Sequence, residues 1–297
     1  MSPAPPGYRG RFAPSPTGPL HFGSLVAATA SFLDARSAGG TWHLRIDDLD
    51  PPREVAGAVE AILASLEALS LTWDGPVVYQ SQRSAVYEAA CRELEMVDLA
   101  FPCGCTRREI GPGPYPGTCA VGLPAGRRRR SLRARCQGAV IIFEDRIQGS
   151  QKFRLADIEG DFIIRRADGL YGYHLACVID DTELGVTDVV RGADLLAATA
   201  NQRHLCELLD LPLPSYAHVP VATSENGQKL SKHTAAPALS TLGHQRALWH
   251  ALDFLGQAPP RSALGASTAE LIDWAVHHWR LERVPAVPAR PVALPAA

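Results

Sequence analysis

Two stretches of this chain carry groups suited to handling phosphate. Near the start, Pro14-Ser15-Pro16-Thr17-Gly18-Pro19-Leu20-His21-Phe22-Gly23-Ser24 leads from a proline- and glycine-rich turn into an apolar-periodic segment. His21 can donate a hydrogen bond to a phosphate oxygen. Gly23 lets a ligand approach the backbone where a helix begins and its N–H groups face outward. Far downstream, Lys229-Leu230-Ser231-Lys232-His233 brings two ammonium groups that can meet charge growing on a phosphate leaving group. Each stretch alone is ordinary, since His-x-Gly at a turn is usually structural and Lys-x-Ser-Lys is usually a solvated loop. A third group is Cys103, Cys105 and Cys119, in a segment rich in glycine and proline. Three thiols so close, in a protein expected to be cytoplasmic, suggest zinc rather than a disulfide. The spacing is not that of a standard finger, and no histidine lies between Cys103 and Cys119. Chemistry alone leaves the fourth ligand open among Glu109, Cys136 and a water. The competing reading is a loop with free thiols. Cys91, Cys136, Cys177 and Cys206 read as buried thiols of ordinary kind.

The elements that must position these groups follow from hydrophobic periodicity. Residues 10–13 read as a short strand that ends at Pro14, and residues 24–36 as a helix with apolar side chains at i, i+3, i+4 spacing. Residues 41–46 read as the next strand, followed by acidic Asp47-Asp48-Leu49-Asp50. Helix patterns occupy 56–69 and 84–97. Alternating strands and helices argue for an α/β fold with a parallel sheet. The character changes near residue 100, where an insertion begins that ends in Arg127-Arg128-Arg129-Arg130. Strand patterns return at 139–143, 161–165 and 186–190, with helix patterns at 170–178 and 195–209. The expected organisation is a nucleotide-binding domain in two halves, 1–98 and 161–240, around an insertion at 99–160. A short helical region at 241–297 caps it, helical at 247–254 and 268–281 and loose from residue 284 on.

Composition bounds the rest. The chain has 297 residues, 46% apolar and 20% charged, with a formal net charge of −2. That suits a packed core and speaks against a general grip on long nucleic acid, which is usually more basic, while allowing a local basic face. Arg127 to Arg130 with Arg133 and Arg135 form the clearest such face, with Lys152, Arg154, Arg165 and Arg166 as an extension; an RNA backbone is one expected partner, and a solvated surface loop is the competing reading. No apolar run is long enough to span a bilayer. The start of the chain does not read as a signal peptide. The seven cysteines lack the framework of a secreted protein, so a cytoplasmic monomer is expected.

In chain order, several segments resemble the glutamyl branch of the class I aminoacyl-tRNA synthetases, and more closely its short glutamyl-queuosine tRNA(Asp) members. They are Arg11-Phe12-Ala13-Pro14-Ser15-Pro16-Thr17-Gly18, His21-Phe22-Gly23-Ser24, Arg45-Ile46-Asp47-Asp48-Leu49-Asp50-Pro51-Pro52-Arg53-Glu54, Phe162-Ile163-Ile164-Arg165, Val189-Val190-Arg191-Gly192-Ala193-Asp194-Leu195 and Lys229-Leu230-Ser231-Lys232. The resemblance covers residues 8–240. It implies a Rossmann-like class I catalytic fold with a zinc-bearing, acceptor-type insertion and, because so little follows Lys232, no anticodon-binding domain. It implies a ligase that activates L-glutamate with ATP and Mg²⁺, then modifies tRNA(Asp) by docking an anticodon stem-loop that carries queuosine.

Roles follow residue by residue. The resemblance places Arg11, Phe12, Ala13, Pro14, Ser15, Asp47, Tyr173 and Arg191 around glutamate, and His21, Gly23, Lys229 and Lys232 around ATP. Arg11 and Arg191 can each present a fork to a carboxylate. It makes Tyr115 the fourth zinc ligand beside Cys103, Cys105 and Cys119. At one position the chain departs from the family, which usually reads Arg-Ile-Glu-Asp where this chain has Arg45-Ile46-Asp47-Asp48. Asp47 is one methylene short of the usual carboxylate for the substrate ammonium. Two rival functions fit fewer of these residues: a truncated glutamyl-tRNA synthetase charging the tRNA 3′ end, and a non-catalytic RNA-binding relic.

Overall fold

The computed structural model describes residues 7–224, 226–228 and 242–292. Strands β1 (Arg9–Phe12), β2 (Thr41–Ile46) and β3 (Val78–Tyr79) pair in parallel, with β1 against β2 and β2 against β3. Strands β9 (Asp188–Gly192) and β10 (Ser215–Val219) also pair in parallel, and β10 joins β6 (Val140–Asp145), which forms a hairpin with β7 (Gly149–Arg154). The two ladders abut where Thr187 N–H donates to Arg9 O at 3.0 Å, so β1 and β9 lie side by side. The spatial order is therefore β3-β2-β1-β9-β10-β6-β7. The chain winds outward in both directions from the β1/β9 junction. In open parallel sheets such a switch point leaves a crevice at the carboxyl ends of the strands.

The first crossover is α1 (Phe22–Ser37). It is apolar nearly all round, as a helix must be when covered on both sides. One side meets the sheet. The other meets α8 (His244–Phe254) and α9 (Thr268–His278), with Phe22 edge-on to Phe254 at 6.1 Å and Trp279 Nε1–H donating to Asp34 at 3.1 Å. Residues 244–278 thus supply two helices that pack on α1. The end of the chain is not loose up to residue 292: β12 (Ala289–Pro291) pairs in parallel with β11 (Val221–Thr223), and Val284 is buried. Prolines and alanines concealed a strand there because β12 sits at the margin of the fold, where a missing proline N–H is tolerated.

A second core forms around α3 (Ser84–Met96), α6 (Tyr173–Glu183) and α7 (Leu196–Leu208). It carries a small antiparallel sheet of β4 (Ala100–Cys103), β5 (Ser131–Ala134) and β8 (Phe162–Arg165), whose β4–β5 connection holds the cysteine segment. Within 99–160, β4 and β5 thus belong to this sheet, while β6 and β7 extend the parallel ladder.

Candidate active site and metal centre

The crevice at the strand ends is a cavity of about 450 Å³. Among its lining residues are Arg11, Phe12, Ala13, Pro14 and Ser15 leaving β1, His21 and Gly23 at the start of α1, Asp47 after β2, Tyr173 at the start of α6 and Arg191 at the end of β9. Every residue assigned to glutamate from sequence therefore reaches one cleft, and so do His21 and Gly23. Lys229 and Lys232 lie outside the described residues; β11, which leads toward them, contributes Val221 and Ala222 to the cleft wall. Asp48 turns away and is occupied by Ser81.

His21 is the N-cap of α1: its Nδ1 accepts from Ser24 N–H at 3.2 Å. That fixes the neutral ring as the Nε2–H tautomer, with Nε2 3.1 Å from Ser24 Oγ, beside a helix N-terminus where no acidic residue occupies the first turn. Glycines allow the close approaches on the other walls. A Cβ on Gly172, the N-cap of α6, would lie 2.3 Å from Ile163 O, and one on Gly192 would lie 2.5 Å from Asp194 Oδ1.

The charges are held from behind. Arg11 Nε–H donates to Asp181 at 3.2 Å. Buried Arg45 binds Asp181 at 2.6 Å through Nη1 and clamps Asp47 with Nε at 2.6 Å and Nη2 at 3.3 Å. Asp180, on the next residue, takes Gln80, Arg83 and Tyr87. Burial pushes the Asp181 carboxyl up, but Arg11 and Arg45 outweigh it and hold the group below the usual range. Asp47 stays above its usual value, mainly through burial, with Asp181 and Asp180 adding to it. On β9, Arg191 Nε–H donates to His218 Nε2 at 3.2 Å and Nη2 donates to Thr199 at 2.7 Å. Sequence reasoning missed Arg45, Asp181 and His218. One signal was available: once Tyr173 is placed in the cleft, Cys177 and Asp181 follow at i+4 and i+8 on the same helix face. Cys177 is indeed there, its Sγ 3.3 Å from Arg45 Nη2, and burial pushes its thiol up to about 12.

The cysteine segment closes on itself. Cys103, Cys105 and Cys119 bring their sulfurs within 4.8 Å of one another. The Tyr115 hydroxyl lies 3.5 Å from Cys103 Sγ and accepts from Cys119 N–H at 2.7 Å. A tetrahedral zinc with Zn–S bonds of about 2.3 Å sets sulfurs about 3.8 Å apart; Cys105 and Cys119 are 3.7 Å apart. Three soft sulfurs and one oxygen converging at that spacing fit the ion. Arg133 stacks over Tyr115 with its guanidinium carbon 3.9 Å from the ring centre. Burial raises the Cys103 thiol, but the Tyr115 hydroxyl, the Cys105 amide and Arg133 outweigh it and bring it down to about 7. Burial and the neighbouring thiols push Cys105 up. Glu109 instead caps the short helix α4 (Arg107–Ile110) and pairs with Arg127. Cys136 is buried in the second core, away from the three thiols.

The basic run is not one open patch. Arg133 is buried, Arg127 pairs with Glu109, Arg129 with Glu95 and Arg135 with Asp98. Arg128 and Arg130 remain exposed without an ion pair among the described residues. No helix of the described residues is long and apolar enough to cross a membrane.

Comparison with known proteins gives these features a context. The family model described as tRNA synthetases class I (E and Q), catalytic domain, matches residues 8–112 and 125–246. The gap between the two matched parts holds Tyr115 and Cys119. The chain is 53% identical over 295 residues to the glutamyl-Q tRNA(Asp) synthetase of Thiobacillus denitrificans, covering 97% of each chain. It is 52% identical over 290 residues to the protein of that name in Aromatoleum aromaticum, covering 95% of this chain and 92% of the other. In fold it resembles the crystal structure of glutamate-tRNA synthetase from Elizabethkingia anophelis, with a TM-score of 0.82 and 24% identity, covering 97% of this chain and 68% of that one.

Proposed function

This chain belongs to the class I tRNA synthetases (E and Q), and on that premise we propose that it activates L-glutamate with ATP and transfers it to the queuosine base at the wobble position of tRNA(Asp). The observation that carries the reading is the charge pattern of the cleft. Two arginines in the cleft, Arg11 on β1 and Arg191 on β9, match the two carboxylates of glutamate, and Asp47 matches its ammonium. The N-terminus of α1 with His21 suits the ATP phosphates.

In the first step a carboxylate oxygen of glutamate attacks the α-phosphorus of ATP and pyrophosphate leaves. No proton need move, so the chain's work is alignment and charge neutralisation. Arg11 and Arg191 orient the amino acid, His21 and the α1 backbone hold phosphate oxygens, and Lys232 with Lys229 neutralises the departing pyrophosphate. Mg²⁺ travels with the ATP. In the second step a hydroxyl of the queuosine base attacks the acyl carbon and AMP leaves. Zinc would be held by Cys103, Cys105, Tyr115 and Cys119 and would order the β4–β5 connection. The choice of queuosine and tRNA(Asp) is supported by the relatives that bear that name and match this chain along nearly its whole length.

The test has two arms. Glutamate-dependent ATP–pyrophosphate exchange is expected for the wild type and is abolished by Lys232→Ala with the fold intact. Labelled glutamate is expected to enter total tRNA only when the tRNA carries queuosine. Equal labelling of tRNA lacking queuosine, with tRNA(Glu) as the best acceptor, would instead mean charging of the 3′ end. Absence of exchange by folded wild-type protein would leave an RNA-binding relic.

A further inference from the structure

We infer that His218 and Asp145 are positioning residues for Arg191, fixing the guanidinium so that its free edge meets a ligand carboxylate in the cleft. The inference rests on the reading of that cleft as a glutamate site. His218 is fully buried in β10, between β6 and β9. Its Nδ1 lies 2.5 Å from Asp145 Oδ2, and its backbone N–H also donates to Asp145. On its far side Nε2 takes the Arg191 Nε–H. An arginine Nε can only donate, so Nε2 must carry the lone pair and Nδ1 the proton. Asp145 thus selects the tautomer that can hold Arg191.

The guanidinium is tied along its rear edge only. Nη2 donates to Thr199 at 2.7 Å and to Leu195 O at 3.4 Å, while Nη1 has no acceptor among the described residues. Arg11, on the neighbouring strand β1, uses the same rear tie through Nε, but to a carboxylate, Asp181. The difference matters for charge. A carboxylate behind Arg11 offsets its positive charge. A neutral imidazole behind Arg191 orients the fork without offsetting it, so Arg191 keeps the stronger pull on an anionic group.

The groups facing His218 are Asp145 from β6, Arg191 from β9, Arg11 from β1 and Tyr216 on its own strand, stacked at 6.1 Å; Thr199 from α7 adds a hydroxyl at 3.0 Å. Burial, with Arg191 and Arg11, outweighs Asp145 and keeps the ring neutral to lower pH than a free histidine. Because Nδ1 is already protonated, an added proton goes to Nε2, where it removes the acceptor and faces Arg191.

The experiment is glutamate-dependent ATP–pyrophosphate exchange across roughly pH 5 to 8 with the full-length wild type, H218L and H218Q. H218L is expected to raise KM for glutamate about 30-fold, the scale of a hydrogen bond to a charged group, with KM for ATP within about twofold. H218Q can accept from Arg191 and donate to Asp145, and recovers most of that loss. In the wild type, KM for glutamate climbs as pH falls below the range in which a free histidine titrates; in H218Q the climb is absent. An unchanged glutamate KM in H218L, or an equal rise for ATP, overturns the inference. If H218L does not fold, H218Q decides, and an acid climb like that of the wild type overturns it. Wild-type protein without exchange overturns the glutamate reading itself, and this inference with it.

Discussion

The strand-end cleft and the cysteine segment both gather polar groups under cover, and they do so in opposite states. In the cleft every buried charge has a partner: Arg11 and Arg45 share Asp181, Arg45 clamps Asp47, and Arg191 leans on a neutral His218. In the cysteine segment three thiols and a phenol face one another, all of them negative or neutral and none of them cationic. Arg133 lies against the Tyr115 ring and assists Cys103, but no positive group sits among the donors. One region is balanced by its own sequence. The other gathers a donor set that could hold a metal ion.

The largest effect is expected where that balance is removed. Asp181→Ala leaves two buried guanidiniums short of a carboxylate, which costs about 3–5 kcal/mol when one partner of a buried pair is lost. Urea unfolding should register that loss, and exchange should fall with it, because Arg11 is no longer aimed. A variant as stable as the wild type would mean that the cleft is not set by this carboxylate, and the contrast would collapse.

Next in size is the cysteine segment. Cys119→Ser should reduce bound zinc from about one ion per chain to a trace, measured by elemental analysis of protein purified without chelators. Proteolysis should then reach residues 99–135 first. Glutamate exchange should stay within a few-fold of the wild type while transfer to RNA drops, because the cleft needs no metal to order it. Exchange and transfer falling together would tie the two regions into one unit.

The sequence made these regions legible to different degrees. Strong periodicity placed β1, α1, β2, α3 and α7 within a residue or two, and the motif residues led to the cleft. What stayed hidden was the support behind them. Asp180-Asp181 at the end of an apolar helix looks like a solvated last turn, and Ser215-Tyr216-Ala217-His218-Val219 lacks the apolar run of a central strand because it carries a functional histidine. The arginine run was visible, but its partners Glu95, Asp98 and Glu109 come from separate turns of chain, so its neutralisation could not be read locally. The convergence of Tyr115 with the thiols came from resemblance, since a phenol twelve residues from Cys103 has no spacing rule.

Acid should separate the regions by a smaller margin. Asp181 and Asp145 have folded pKa values below the ordinary one, so their stabilisation is complete above about pH 3.9 and is lost as pH falls through the lower folded values. His218 is also depressed, so its contribution is complete above about pH 6.5 and declines below that. Asp47 runs the other way: its raised value means that a burial penalty at neutral pH is relieved as pH falls. Zinc competes with protons for thiolates, so the ion should leave during acidification before the cleft unfolds. Following zinc release and circular dichroism in one titration gives the order, and simultaneous loss would argue against two independently held regions.

The smallest effect is expected at Asp47, where the cleft departs from the family's usual glutamate. Both oxygens of Asp47 are held by Arg45, and its backbone N–H is tied to Pro14 O at 3.0 Å, so the short side chain is held at the cavity wall. One more methylene would carry the carboxylate forward toward an ammonium, while Arg45 keeps Asp181 at 2.6 Å. Asp47→Glu should therefore change stability by less than about 1 kcal/mol and lower KM for glutamate by about two- to fivefold with kcat little changed. A tenfold rise in KM would assign the opposite role to the Arg45–Asp47 clamp: it would mean that the charge balance of the cleft depends on that short reach, and that the site has been retuned around an aspartate rather than weakened by one.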